Sequence, residues 1–325
     1  MRICIVGAGA IGGLLGARLI AAGAEVTLIA RGGQLAAIRQ QGLTLQWSDG
    51  SSETATPTLA TDSMEAAGPQ DVVIVAVKAQ SLPALAPAMR ALYGPETMIV
   101  TAQNGIPWWY FYKHGGPYDG HQIEMVDPDG VIAAHTEIDR VIGCVVYPAA
   151  EITQPGVIQH IEGHRFTLGE LDGAKSERIQ QLSKILIKAG FKAPIRPHIR
   201  NEVWLKLWGN LAYNPISALT RATLIDIYQY PLTREVVRAM MAEAQMVADQ
   251  LGVTFGLSIE QRMAGAEEVG AHKTSTLQDI EAGRPTEIDA LVGTVVELGR
   301  LVKVPTPHID AIYASVKLLE QHTTK

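Results

Sequence analysis

The first half of the chain alternates short all-apolar runs with stretches of helical spacing. Residues 2–7, 25–30, 71–77 and 98–102 read as buried strands. Between them, 11–22 has helical periodicity closed by Gly23, and 35–41 has it up to Gly42. Short, fully apolar strands separated by helices belong to a parallel sheet covered on both faces. Residues 43–59 alternate in β fashion around Ser48-Asp49-Gly50, and 141–146, 157–161 and 165–168 add later strands. Residues 106–140 break the rhythm. They carry Trp108, Trp109, Tyr110, Phe111 and Tyr112, then a stretch rich in Gly, Asp and His. This reads as a long insertion between two sheet strands, and such loops serve as lids, partner surfaces or disordered segments.

After about residue 175 the strand signals fade. Helical patterns cover 176–189, 198–219, 234–251, 258–269, 274–282, 286–302 and 306–322, and Pro215 is expected to bend or end the second of these. The pattern predicts an α/β protein. A doubly wound, Rossmann-type sheet fills residues 1–197, with an insertion at about 106–140, and an all-helical domain fills 198–325. The seam falls where Pro194 and Pro197 interrupt both patterns.

Composition narrows the class. The 325 residues are 47% hydrophobic with a net charge of -6, which leaves no broad basic surface for nucleic acid. Cys4 and Cys144 both lie in apolar runs and read as small buried hydrophobes, not as a disulfide. No basic head or apolar signal region precedes the first strand, and no window has the roughly 18 uncharged apolar residues of a membrane span. A soluble, cytoplasmic protein is expected, without nucleic-acid or membrane partners. His160 and His164 flank an expected hairpin, and the histidines show no other metal-ligand spacing, so no metal is expected.

The strongest local chemistry is Gly7-Ala8-Gly9-Ala10-Ile11-Gly12, which follows a strand and opens a helix. In that context the glycines permit the tight turn, the approach of a pyrophosphate and close helix–sheet packing. The helix N-terminus offers free N–H groups to the phosphates. An Asp or Glu at the end of the second strand would favour NAD; here the strand ends in Ala30-Arg31. Arg31 can pair with a 2′-phosphate, so the expected cofactor is NADP(H). Lys78 and Asn104 follow the next two strands, at the carboxyl edge where ligands of open parallel sheets sit.

Lys206, Asn210 and Asn214 recur every four residues, on one face of a largely apolar helix, while Trp204 and Trp208 form a separate core stripe. Buried polar groups need partners. A Lys with two amides reads as a device that binds and protonates an oxygen.

These motifs, with Ser275-Thr-Leu-Gln-Asp-Ile and Arg284-Pro-Thr-Glu287-Ile-Asp in the same order, resemble those of the ketopantoate reductases (2-dehydropantoate 2-reductases) over nearly the whole chain. The resemblance implies NADPH-dependent reduction of a 2-oxo acid to a 2-hydroxy acid, and ketopantoate to pantoate in pantothenate biosynthesis above all. It implies Lys206 as proton donor and Glu287 as the active-site glutamate, with Asn104, Asn210, Asn214 and Ser275 on the substrate. Gly7 to Gly12, Arg31, Lys78, Asn104 and Glu287 would line the cofactor. The helical domain would bind substrate and form a homodimer. The insertion after Pro107, and Tyr147-Pro148, depart from the family pattern and raise the alternative of a larger or more aromatic 2-oxo acid. A β-hydroxyacid dehydrogenase and a non-catalytic NADP-binding sensor are further alternatives; the Ser275 and Glu287 motifs argue against both.

Overall fold

The computed structural model describes residues 1–323, with the backbone alone described at Glu268 and Val269. Thr324 and Lys325, the end of the expected helical domain, lie outside the described residues. Two compact units divide the chain. The first holds Met1–Gln103, Trp108–Gln122 and Asp127–Ile199. The second holds Asn104–Pro107, Ile123–Val126 and the chain from Arg200 on.

In the first unit the order is β1 (Arg2–Val6), α1 (Ala10–Ala21), β2 (Glu25–Ile29), α2 (Gly32–Gln41), β3 (Leu43–Gln46), β4 (Ser52–Ala55), β5 (Leu59–Thr61), α3 (Met64–Ala67), β6 (Gln70–Val75), α4 (Leu82–Met89) and β7 (Tyr93–Thr101). There follow α5 (Val131–His135), β8 (Val141–Val146), β9 (Ala149–Gln154), β10 (Val157–Glu162), β11 (Phe166–Glu170) and α6 (Glu177–Lys188). The seven-stranded sheet runs β11-β8-β7-β6-β1-β2-β5, parallel except for β11. Its strands are apolar throughout because helices or a second sheet cover both faces.

That second sheet, β4-β3-β10-β9, gathers strands that the sequence pattern left unassigned to any partner. It encloses α1 against the main sheet. A Cβ on Gly16 would stand 2.9 Å from Leu28 of β2, and one on Gly13 would stand 2.7 Å from Ile158 of β10. A helix packed on two sides is apolar all round, which is the sequence of α1. The periodicity missed α4 and β9. Two prolines, Pro83 and Pro87, hide α4, and the exposed residues of β9 hide that strand.

The segment 107–140 does join two neighbouring parallel strands, β7 and β8. Its aromatic run is core: Trp108, Trp109, Tyr110 and Phe111 are all buried. Trp109 donates from Nε1 to Thr101 Oγ1 at 2.8 Å, and its ring stands where a side chain on Gly143 would be, 2.9 Å from an added Cβ. Large aromatic area drives this segment onto the first unit.

The second unit is helical: α7 (Ile199–Thr220), α8 (Leu224–Gln229), α9 (Pro231–Gln250), α10 (Ile259–Val269), α11 (Ser275–Glu281), a π-helical turn (Asp289–Gly293), α12 (Thr294–Leu301) and α13 (Pro307–Thr323). Two expectations are corrected. Pro215 does not end α7, which continues to Thr220; the buried Tyr213, Ile216 and Ala218 hold the turns on either side of it. The helix expected over 286–302 starts at residue 288 and opens with a π turn. Thr286 is drawn out by Glu320, which accepts its amide at 2.9 Å and its hydroxyl at 2.5 Å. Ile106 N–H then bonds the Ala290 carbonyl at 3.1 Å, a foreign donor inside the helical ladder. Insertions of that kind produce π turns.

Candidate active site

The dinucleotide turn of the first unit is built by the sheet. Gly7 and Ala8 both donate to the Ile29 carbonyl at 3.1 Å, which ties the end of β1 to the end of β2. Gly7 has φ +101, a conformation that L side chains rarely adopt. A Cβ on Gly12 would meet the Gly7 carbonyl at 1.9 Å, so the helix starts against the turn itself. Gly9 is different: nothing lies within 4 Å of its added Cβ, and as N-cap of α1 it has no side chain to occupy the first-turn N–H groups. The result is an open cradle of backbone donors beside a bare Cα, which fits a pyrophosphate.

Gln34 completes the cradle. Its Nε2 donates to the Ala8 carbonyl and its Oε1 accepts from Gly156 N–H, both at 2.9 Å. The Ala8 carbonyl is thereby satisfied by a side chain of α2. Sequence reasoning passed over Gln34, whose role exists only once α2, the turn and the β9–β10 hairpin meet.

Arg31 is the N-cap of α2 and is exposed. Among the described residues no hydrogen bond, ion pair or ring contact engages its guanidinium. A cation left available at the end of β2 fits a 2′-phosphate. Lys78 follows Val77, whose side chain would be 2.6 Å from a Cβ on Gly7 and whose carbonyl accepts from Gln103 Nε2 at 2.9 Å. The backbone ahead of Lys78 therefore borders the dinucleotide turn.

The second unit holds the other predicted residues. Lys206, half-buried on α7, donates from Nζ to Asn104 Oδ1 at 2.7 Å. Two neighbours of Asn104 fasten it. Gly105, at φ +87, lies so close to the π turn that an added Cβ would meet the Ala290 carbonyl oxygen at 2.3 Å. Ile106 donates to the same carbonyl. Glu287 leads into that turn, its own carbonyl accepting from Leu291 at 3.0 Å. One contact thus joins the segment of Asn104 to the segment of Glu287.

The braces of the π turn were not legible in the sequence. Tyr313 of α13 donates to Asp289 Oδ1 at 2.6 Å, Lys317 donates to Asp289 Oδ2 at 3.0 Å, and Glu320 holds Thr286. Burial first, then the bond to Asp289, pushes the Tyr313 phenol well above its ordinary range, so it stays a donor. Glu287 sits between these two anchored neighbours.

Asn210 and Asn214 follow Lys206 by one and two turns of α7; Asn214 is 5% exposed. Ser275 is exposed at the first position of α11, after the Thr274 cap that accepts from Leu277 N–H at 3.2 Å. Among the described residues no cluster of three or more His, Cys, Asp or Glu is placed for a metal ion, and no helix is long and apolar enough to cross a membrane. Cys4 and Cys144 are buried and not joined in a disulfide, and burial pushes the Cys4 thiol up to about 12.

The family model described as "Ketopantoate reductase PanE/ApbA" matches residues 3–173, and "Ketopantoate reductase PanE/ApbA C terminal" matches 198–320. A 2-dehydropantoate 2-reductase of Mesorhizobium japonicum is 51% identical over 320 residues, 98% of each chain. A PanE/ApbA family ketopantoate reductase structure from Ralstonia eutropha JMP134 superposes with a TM-score of 0.86 at 27% identity, covering 100% of both chains. A 2-dehydropantoate 2-reductase structure from Methylococcus capsulatus gives 0.83 at 28% identity, covering 100% of this chain and 98% of the other.

Proposed function

The chain belongs to the ketopantoate reductase family, and on that premise we propose that it reduces 2-dehydropantoate to pantoate with NADPH, Lys206 giving the proton. The observation that carries the reading is the Lys206–Asn104 hydrogen bond. It fixes an ammonium by the side chain of a residue whose two successors, Gly105 and Ile106, lie against the Ala290 carbonyl of the π turn.

NADPH, when bound, supplies the hydride. Gly7 to Gly12 would hold its pyrophosphate and Arg31 its 2′-phosphate, with Lys78, Asn104 and Glu287 as the residues that would meet its nicotinamide half. Charge develops on the ketone oxygen as the carbonyl carbon is reduced. The Lys206 ammonium stabilises that charge and then donates its proton to the same oxygen, leaving the alcohol. Asn104 holds the ammonium in place, and Glu287 orients Lys206 or a substrate hydroxyl. Asn210, Asn214 and Ser275 hold the rest of the acid. The protein works as a cytoplasmic homodimer in pantothenate biosynthesis. Trp108, Trp109, Tyr110 and Phe111, part of the insertion that raised a larger substrate, are buried in the first unit.

The test is a panel of 2-oxo and 3-oxo acids, with NADPH consumption followed by absorbance. Turnover should be best with 2-dehydropantoate. Tight NADPH binding with no turnover of any acid would remove both the reductase and the β-hydroxyacid readings and leave the sensor.

A further inference from the structure

The chain that follows β7 meets the π turn twice. Its first stretch, Asn104–Pro107, belongs to the second unit and bonds the Ala290 carbonyl through Ile106 N–H at 3.1 Å. Trp108–Gln122 then belongs to the first unit, and Ile123–Val126 to the second again. This short return lies outside any helix or strand, so other contacts must hold it. Ile123 and Val126, its two ends, are buried. Between them Glu297 of α12 accepts from Glu124 N–H at 2.8 Å through Oε1, and from Met125 N–H at 2.9 Å through Oε2. Two charge-assisted bonds to successive amides fix the backbone there.

The backbone so fixed carries Met125 to the far end of the π turn. Gly293 is the last residue of that turn. A Cβ on Gly293 would stand 2.9 Å from the Tyr313 hydroxyl oxygen and 3.2 Å from Met125 Sδ. The phenol and the thioether therefore fill the space of a side chain on Gly293. Tyr313 has one hydroxyl proton, and it goes to Asp289 Oδ1 at 2.6 Å. Met125 Sδ lies 3.7 Å from the same oxygen and covers it. An unbranched, polarizable thioether suits an irregular gap between a ring and a helix. Met125 thus touches the last residue of the turn and the tyrosine that braces its first.

We infer that Met125 is a positioning residue: Glu297 pins the return of the insertion, Met125 wedges against Tyr313 and Gly293, and the wedge sets the π turn that follows Glu287 and receives Ile106. The inference rests on the reductase reading of Glu287 and Asn104. A π turn is rare among helices and persists where neighbouring contacts hold it. The insertion, which departs from the family pattern, supplies one of those contacts.

The experiment follows Met125→Ala, Met125→Leu and Glu297→Gln by steady-state kinetics with NADPH and 2-dehydropantoate, by thermal melts, and by hydrogen exchange of the amides of residues 288–296. Met125→Ala should lower kcat about 10-fold, within the roughly 10²-fold that a misplacement of about 1 Å can cost, with KM for NADPH unchanged. Exchange across the π turn should quicken, while the melt drops by only about 2–4 °C. Met125→Leu keeps the volume and should restore kcat to within about twofold. Glu297→Gln turns an N–H toward one of the two backbone donors and should act in the same direction as Met125→Ala; it decides the matter if Met125→Ala does not fold. Full kcat in Met125→Ala, a loss of kcat without faster exchange, or a loss that Met125→Leu fails to restore would each overturn the inference and leave the reductase reading intact. A wild-type protein that reduces no 2-oxo acid overturns that reading and the catalytic part of Met125 with it, while the exchange rates still decide whether the insertion holds the turn.

Discussion

The ammonium of Lys206 is hydrogen-bonded at 2.7 Å to the side-chain oxygen of Asn104, 102 positions earlier in the chain. The bond stays inside the second unit, because Asn104–Pro107 belongs to that unit although it follows a strand of the first. Lys206→Ala should lower kcat by about 10²–10⁴-fold, the range for a lost acid–base group, with NADPH binding kept. Asn104→Ala should remove one of the bonds that place the ammonium, with kcat down roughly 10²-fold at most. Steady-state kinetics on the two variants, with NADPH titrated by fluorescence, checks both. Unchanged turnover in Lys206→Ala removes it from the mechanism.

Gly9 and Gly12 should respond in opposite ways to the same change. A methyl on Gly12 would collide with the Gly7 carbonyl at 1.9 Å, and both partners are backbone. Gly12→Ala should therefore destabilise the first unit, by roughly 1–3 kcal/mol as overpacking does. Gly9→Ala meets nothing within 4 Å and has φ -76, which any residue adopts, so stability should hold while NADPH affinity falls. Thermal melts beside cofactor titrations separate the two. A Gly9→Ala protein that binds NADPH normally would move the pyrophosphate elsewhere.

Arg31→Ala should raise KM for NADPH much more than for NADH, because the guanidinium meets only the extra phosphate. The side chain is exposed, so no change in melting temperature is expected. The same loss with both cofactors would show that Arg31 does not read the 2′-phosphate.

Tyr313→Phe removes the bond to Asp289 that braces the π turn next to Glu287. A hydrogen bond to a charged group contributes about 1.5–3 kcal/mol, less at a partly exposed site such as this one. The melt should drop modestly, and kcat should fall several-fold with NADPH affinity unchanged. A variant that loses stability but keeps full kcat would mean that the brace does not position Glu287.

Much of the protein was readable as a string. Short apolar strands with no alternation can only be covered on both faces, and that gave the parallel sheet without any contact in view. Gly7, Gly9 and Gly12 are legible because backbone geometry, not a partner, dictates them. Arg31 stands out in the sequence because a charge at a strand end needs no contact to be noticed. The four-residue period of Lys206, Asn210 and Asn214 is likewise a property of α7 alone.

Long-range geometry had to decide the rest. The aromatic run from Trp108 to Phe111 has the composition of a lid; only Gly143 and Thr101, on strands packed against it, make it core. Nothing near Thr286 in sequence says that Glu320 will pull it out of a helix, or that Ile106 will turn the following residues into a π turn. Gln34 looks like ordinary polar surface until Ala8 arrives beside it. Sequence determined the elements and the residues whose chemistry is local, because backbone conformation and periodicity are written residue by residue. The tertiary structure alone decided which polar groups meet, because hydrogen bonds between distant segments depend on where the packed helices and strands bring them.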